Sequence, residues 1–219
     1  MKNKHFLLGL YLLGLSFIIA CGAILFMPDT VPIHYDWQGN PDSYGNKSIY
    51  LLFPVLFGLV WLLFHLMGRT AFKEDEANRK NLYRLAAYLN FFFIVLETIF
   101  IALVFVNERS IAFDFYKLLG ACFGIFFILT GNIIPKATRN GFFGLRTTWS
   151  LYNDNTWAKS QRSAGFAFVA CGFLVLLSSV FLKGILNLLA VGCGLAAVLA
   201  VSLPLSYKAY KEERAKENN

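Results

Sequence analysis

The stretch Leu85-Ala-Ala-Tyr-Leu-Asn90-Phe-Phe-Phe-Ile-Val-Leu-Glu97-Thr-Ile-Phe-Ile-Ala-Leu-Val-Phe-Val106 carries one formal charge in 22 residues. Wound as a helix it would be about 33 Å long, the thickness of a hydrocarbon core. Five further windows of this kind follow or precede it: Phe6 to Met27, Ile49 to Met67, Phe115 to Ile134, Ala164 to Leu182 and Ile185 to Ser206. Continuous apolar runs of this length leave helices as the structure that satisfies every backbone group in lipid, and the missing alternation of polarity argues against barrel strands. The fold class predicted is therefore all-α, a polytopic membrane protein with six transmembrane helices. The wider composition agrees: 219 residues are 57% hydrophobic with mean hydropathy +0.55. A disordered chain, a soluble nucleic-acid binder and a disulfide-stapled secreted module are excluded.

Orientation follows from the basic residues. Sixteen of the 20 Lys and Arg fall in alternate segments: Lys2 and Lys4; Arg69, Lys73, Arg79, Lys80 and Arg84; Lys136, Arg139, Arg146, Lys159 and Arg162; Lys208, Lys211, Arg214 and Lys216. The opposite side holds Lys47, Arg109, Lys117 and Lys183. The positive-inside rule places both termini in the cytoplasm, and the net charge of +7 reports orientation rather than direct nucleic-acid binding. Basic residues followed by an apolar run to Ala20-Cys21 also suggest a cleavable signal, but the run continues through Ala23, Ile24, Leu25 and Phe26, so a retained span is expected. Cys21, Cys122, Cys171 and Cys193 lie in apolar runs without CxxC spacing and read as small buried thiols. The last polar stretch, from Tyr207, is expected to continue the final helix, and Lys183-Gly184 leaves room only for a tight antiparallel helical hairpin before it.

Two polar segments could carry chemistry. The first, Pro28 to Lys47, holds Pro28, Pro32 and Pro41 with Gly39 and Gly45, the ingredients of successive turns. A compact extracellular cap is expected, with Tyr35, Trp37 and Tyr44 at the lipid interface and a net charge of −2 that would attract a cationic peptide. His34, Asp36 and Asp42 could be considered as metal ligands, but their spacing fits neither an EF-hand nor a zinc site, so no metal and no cofactor is expected.

The second segment, within residues 131–165, mixes Lys136, Arg139, Arg146, Lys159 and Arg162 with Phe142, Phe143, Trp149 and Trp157. It is expected to lie on an anionic leaflet with those rings buried at the interface. Asp154 or Asn155 with Thr156 would cap the next helix and set Trp157, Gln161 and Ala164 on one side of it. Composition does not choose between a membrane-surface element and a docking surface for a cytoplasmic partner.

Together these segments resemble the SdpI-type bacterial membrane proteins. The first matches that family's N-terminal DUF1648-like pattern at Pro28, Pro32, His34, Tyr35, Gly39, Asp42 and Lys47. The second matches its signature at Gly131, Asn132, Pro135, Asn140, Gly144, Leu145, Arg146, Thr147, Trp149, Trp157, Arg162 and Gly165. Gln161 departs from it, since the resemblance implies His there, and argues against a proton-linked role at that position. The resemblance implies a division into residues 1–68, a helix pair with its Pro/Gly-rich cap, and residues 69–219, a four-helix membrane domain. It also implies a non-enzymatic immunity protein against a secreted antibacterial peptide toxin, and signalling by holding a small helix-turn-helix repressor at the membrane. On this reading His34, Tyr35, Asp36, Trp37, Gly39, Asp42 and Lys47 form a toxin-facing or helix-organising cap. Asn132, Asn140, Gly144, Arg146, Thr147, Trp149, Trp157 and Arg162 form the signalling surface.

Glu97 lies about 18 Å deep by helical rise, where a carboxylate is costly and the neutral acid is the cheaper form. Two roles are expected: interhelical glue, with His65, Asn90, Asn132 or Asn187 as partner, or proton coupling in a secondary transporter. The second role is weakened by the absence of inverted repeats and broken helices.

Overall fold

A computed structural model describes residues 4–108 and 114–217; Lys2 and Arg109, counted above, lie outside the described residues. Among the described residues six helical spans are long and apolar enough to cross a membrane, built on α1 Lys4–Phe26, α2 Leu52–Thr70, α3 Glu76–Glu108, α4 Phe115–Gly131 with the turn that extends it to Lys136, α5 Asp154–Phe181 and α6 Leu186–Glu217. Between α1 and α2, strands β1 Thr30–Tyr35 and β2 Pro41–Asn46 pair antiparallel, and a short 3-10 turn at Lys47–Leu51 leads into α2. The cap expected as successive turns is thus a β hairpin. Its register slips between Pro32 and Tyr35, where proline cannot donate to the ladder.

The helices form two sets of three, α1–α2–α3 and α4–α5–α6, joined by α3 against α4. In lipid the hydrophobic effect does not drive helices together, so close backbone approach must do so, and small residues provide it. Gly9, Ser16 and Ala20 are the buried residues of α1. Gly124 and Gly131 of α4 meet Gly172 and Gly165 of α5: a Cβ built on any one of them would fall within 2.6–2.8 Å of the facing glycine's carbonyl oxygen. The packed side chains are Phe127, Cys171, Val175, Val191 and Val198 in the second set. Ile99 and Leu103 against Phe115, Tyr116 and Leu119 join the two sets.

All four cysteines are free; Cys122 and Cys171 are buried as expected, whereas Cys21 and Cys193 are exposed on the outer surface of the bundle. Helix α6 runs on through the polar tail, which Lys159 of α5 ties down through Glu212 and Glu213 at 3.2 and 3.1 Å. The α5–α6 connection is a tight turn whose Gly184 N–H donates to Asp114 at 2.9 Å, and Lys117 reaches the Val180 carbonyl at the same end.

Candidate functional site

The candidate residues gather at the two ends of the bundle. At the hairpin end, Asp36 closes the hairpin tip: its carboxylate accepts from the amides of Gln38 (2.9 Å) and Asn40 (2.8 Å). Gly39 completes the turn at φ +90°, a conformation that disfavours any side chain. The tip is seated on the start of α4. The Tyr116 hydroxyl donates to the Asp36 carbonyl at 2.9 Å, and a Cβ on Gly39 would lie 3.3 Å from the Phe115 ring. Tyr35 also packs on Phe115, so it serves this contact rather than the lipid interface, whereas Trp37 and Tyr44 are exposed. His34 and Asp42 pair across the strands at 2.5 Å and remain exposed. Lys47 anchors the base of the hairpin to Asp29 (3.0 Å) and to the Met27 carbonyl beyond α1 (3.3 Å). Asp36, Gly39, Tyr35 and Lys47 are therefore organisers, and His34, Trp37, Asp42 and Tyr44 present the outward surface.

The amide donors hold the Asp36 carboxyl below the usual carboxylate range. A folded value below the unfolded one stabilises the tip above about pH 4, and the stabilisation is lost as pH falls through the folded value. Trp37 fluorescence is accordingly expected to stay constant from neutral pH to about pH 4 and to change only below it. A midpoint well above pH 4, or the same acid transition in Asp36→Asn, would contradict this assignment.

At the opposite end, residues 132–153 fold back over α5. Asn140 shapes the turn by accepting from the amides of Phe142 (2.8 Å) and Phe143 (3.0 Å). Gly144 follows at φ +101°, and a Cβ there would sit 2.5 Å from Gln161 Oε1. Gln161 is fully buried and grips the Leu145 backbone twice: its Oε1 accepts from Leu145 N (2.8 Å) and its Nε2 donates to Leu145 O (2.9 Å). An amide side chain matches a backbone peptide, with one donor and one acceptor side by side. Ser150 Oγ also donates to the Leu145 carbonyl (2.8 Å) and accepts from Thr147 N (2.8 Å), so Thr147 belongs to the same knot.

The outcome for the aromatics is mixed. Trp157, expected as an interfacial anchor, is 2% exposed and donates through Nε1 to the Ala137 carbonyl at 2.7 Å, holding the segment from beneath. Phe142 and Phe143 pack edge-on against the buried Phe72. Trp149 rests half-buried on Tyr207 of α6. Arg146 and Arg162 are exposed and Asn132, also exposed, caps its own helix through the Ile128 carbonyl. The N-cap of α5 is Asn153, in a capping box with Thr156, rather than Asp154 or Asn155; Asp154 instead pairs with Arg139 at 2.8 Å. Trp157, Gln161 and Ala164 do share the buried side.

Sequence reasoning missed Asn78, which is fully buried and exchanges two hydrogen bonds of 3.1 Å with the Thr138 backbone while bonding Asp75 at 2.7 Å. Only its position near the start of a helix hinted at this. Glu97 stands apart from both ends. It is fully buried, and its partner is Ser16 of α1, whose Oγ donates at 2.6 Å; none of the four expected partners bonds to it. Asn90, one heptad earlier on α3, donates to the Gly9 carbonyl at 3.2 Å, so both polar residues face α1. His65 belongs to an aromatic stack with Trp61, and Asn187 turns back on the Leu182 and Gly184 carbonyls.

Comparisons with known proteins bear on the same two ends. The family described as "SdpI/YfhL protein family" matches residues 136–207, and "Domain of unknown function (DUF1648)" matches residues 11–58. The immunity protein SdpI of Bacillus subtilis (strain 168) is 27% identical over 213 residues, covering 95% of this chain and 97% of that protein. In both matches and in this relative the chain is similar to the SdpI-type family. It is a multi-pass bacterial membrane protein. Its SdpI match contains the Leu145 knot, Trp157 and α6 as far as Tyr207, while Asn78, which secures that segment from α3, lies outside both matches. The DUF1648 match takes in the whole hairpin and the start of α2 as far as Gly58. No solved structure gave a significant match.

Proposed function

We propose that this SdpI-type chain protects the membrane it occupies against a secreted antibacterial peptide toxin, without catalysing a reaction. The observation that carries this reading is the similarity to an immunity protein over nearly the full length of both chains. The hairpin end faces the medium on this reading, and its exposed Trp37, Tyr44 and His34–Asp42 pair form the surface a cationic peptide would meet. The basic end faces the cytoplasm, where exposed Arg146 and Arg162 beside half-buried Trp149 offer a ledge to a small helix-turn-helix repressor. In this division residues 1–68 supply the toxin-facing unit and residues 69–219 the signalling domain.

Expression in a toxin-sensitive strain is expected to raise survival, and unchanged killing of cells with confirmed membrane insertion would contradict the proposal. Arg146→Gln is expected to abolish toxin-dependent induction and to leave survival intact. Proton-coupled transport is the competing reading, favoured by the buried Glu97, whose Oε1 has no hydrogen-bond partner among the described residues. Glu97→Gln keeps an acceptor for Ser16 and is expected to preserve protection; uptake driven by a pH gradient in proteoliposomes and lost in this variant would favour transport instead.

A further inference from the structure

The two ends leave one feature of the basic face without a role. A cleft of about 780 Å³ opens between the start of α1, the end of α2 and the start of α3. Its walls carry Lys4, Arg69, Lys73, Arg79 and Lys80, with Glu76 as the one acidic lining residue. The side chains of Arg69, Lys73 and Lys80 make no hydrogen bond or ion pair within the described residues. Five cations around one recess repel one another, and a bound anion removes that cost.

The floor is built rather than incidental. Phe6 packs on Trp61 (4.9 Å between ring centroids), His65 (4.9 Å) and Tyr83 (5.5 Å). Tyr83 is 7% exposed, its hydroxyl lies 3.4 Å from His65 Nδ1, and it occupies the space that a Cβ on Gly68 would need. A shallower recess that shares Lys80 and Glu76 continues to Arg84 and Lys136. Just before Arg69, the exposed Leu62, Leu63 and Leu66 give α2 an apolar outer surface leading from the cleft toward the middle of the bilayer.

We infer that this cleft binds the phosphate of an anionic phospholipid headgroup, with the acyl chains lying along the outer face of α2. Basic recesses between transmembrane helices at the cytoplasmic side suit such headgroups. The continuity of the cationic walls with an apolar helix surface favours a lipid over free phosphate.

The test uses the full-length protein in detergent, with phosphatidylglycerol, phosphatidylcholine or inorganic phosphate added, and reads lipid retention by native mass spectrometry. Wild type is expected to retain phosphatidylglycerol over phosphatidylcholine. Neutralising the free cations together as Arg69→Gln, Lys73→Gln and Lys80→Gln should weaken retention roughly a hundredfold, about fivefold per cation. The charge-keeping set Arg69→Lys, Lys73→Arg and Lys80→Arg should bind as wild type does, which separates lost charge from lost fold. Lys208→Gln with Lys211→Gln, on the same face but outside the cleft, should change nothing. Equal retention of phosphatidylcholine, equal loss in the Lys208/Lys211 variant, or displacement of the lipid by inorganic phosphate would each overturn the assignment.

Discussion

Gly165→Ala is expected to lower the unfolding midpoint of the detergent-solubilised protein by roughly 10 °C, corresponding to about 3 kcal/mol. The added Cβ would lie 2.4 Å from Pro135 Cγ and 2.7 Å from the Gly131 carbonyl oxygen. Neither neighbour can swing aside. Pro135 is fixed by its ring in the short 3-10 turn Ile134–Lys136, and Gly131 ends α4. Relief requires the α4–α5 crossing to open, which also strips contact from Gly124 and Gly172 one heptad away. Gly165→Leu should leave little folded protein at all. Gly192→Ala is the internal control, because a Cβ on this α6 glycine meets nothing within 4 Å; its effect should stay within about 0.5 kcal/mol. Equal midpoints for the Gly165 and Gly192 variants would contradict the backbone-contact account of this interface.

Gln161→Leu should loosen the fold of residues 140–147 locally. Leucine is similar in size but leaves the Leu145 N–H without its acceptor, and an unsatisfied buried group costs about 1–3 kcal/mol. The Leu145 carbonyl keeps its Ser150 hydroxyl, so the loss falls on one side of the knot. The expected result is early proteolytic cleavage near residues 140–147, with a smaller fall in global stability than for Gly165→Ala. Arg162→Gln, the exposed neighbour, should cleave as wild type does. Wild-type protease resistance in Gln161→Leu would mean that the two hydrogen bonds do not hold the segment.

Much of this architecture is legible in the sequence because lipid imposes a severe rule. Six runs long enough to span a bilayer can be recognised without knowing their neighbours. The α5–α6 turn follows from Lys183-Gly184 alone. The hairpin is not legible in the same way: Val31, Ile33 and Tyr35 alternate with Thr30, Pro32 and His34, but Pro32 inside that run and Pro41 read as turn residues and demote it as a strand. Glu97 is conspicuous as an intramembrane carboxyl, but its partner is a small neutral hydroxyl 81 residues away, which carries no signal along the chain. Trp157 misleads in the opposite direction. Tryptophan beside cations suggests an interfacial anchor; the spacing sets it on one side of α5 with Gln161 and Ala164, and only packing makes that side the buried one. Gln161 stood out only as a departure from an expected histidine, and its grip on Leu145 depends on a chain reversal that spacing does not reveal.

The most direct measurement of the account is cysteine accessibility in intact cells. In a background lacking the four native cysteines, Trp37→Cys should react with a membrane-impermeant maleimide added outside, and Arg146→Cys should react only after the membrane is opened. Labelling of both positions from the same side would contradict the proposed six-span arrangement, in which the hairpin and the Arg146 segment lie on opposite sides of the membrane.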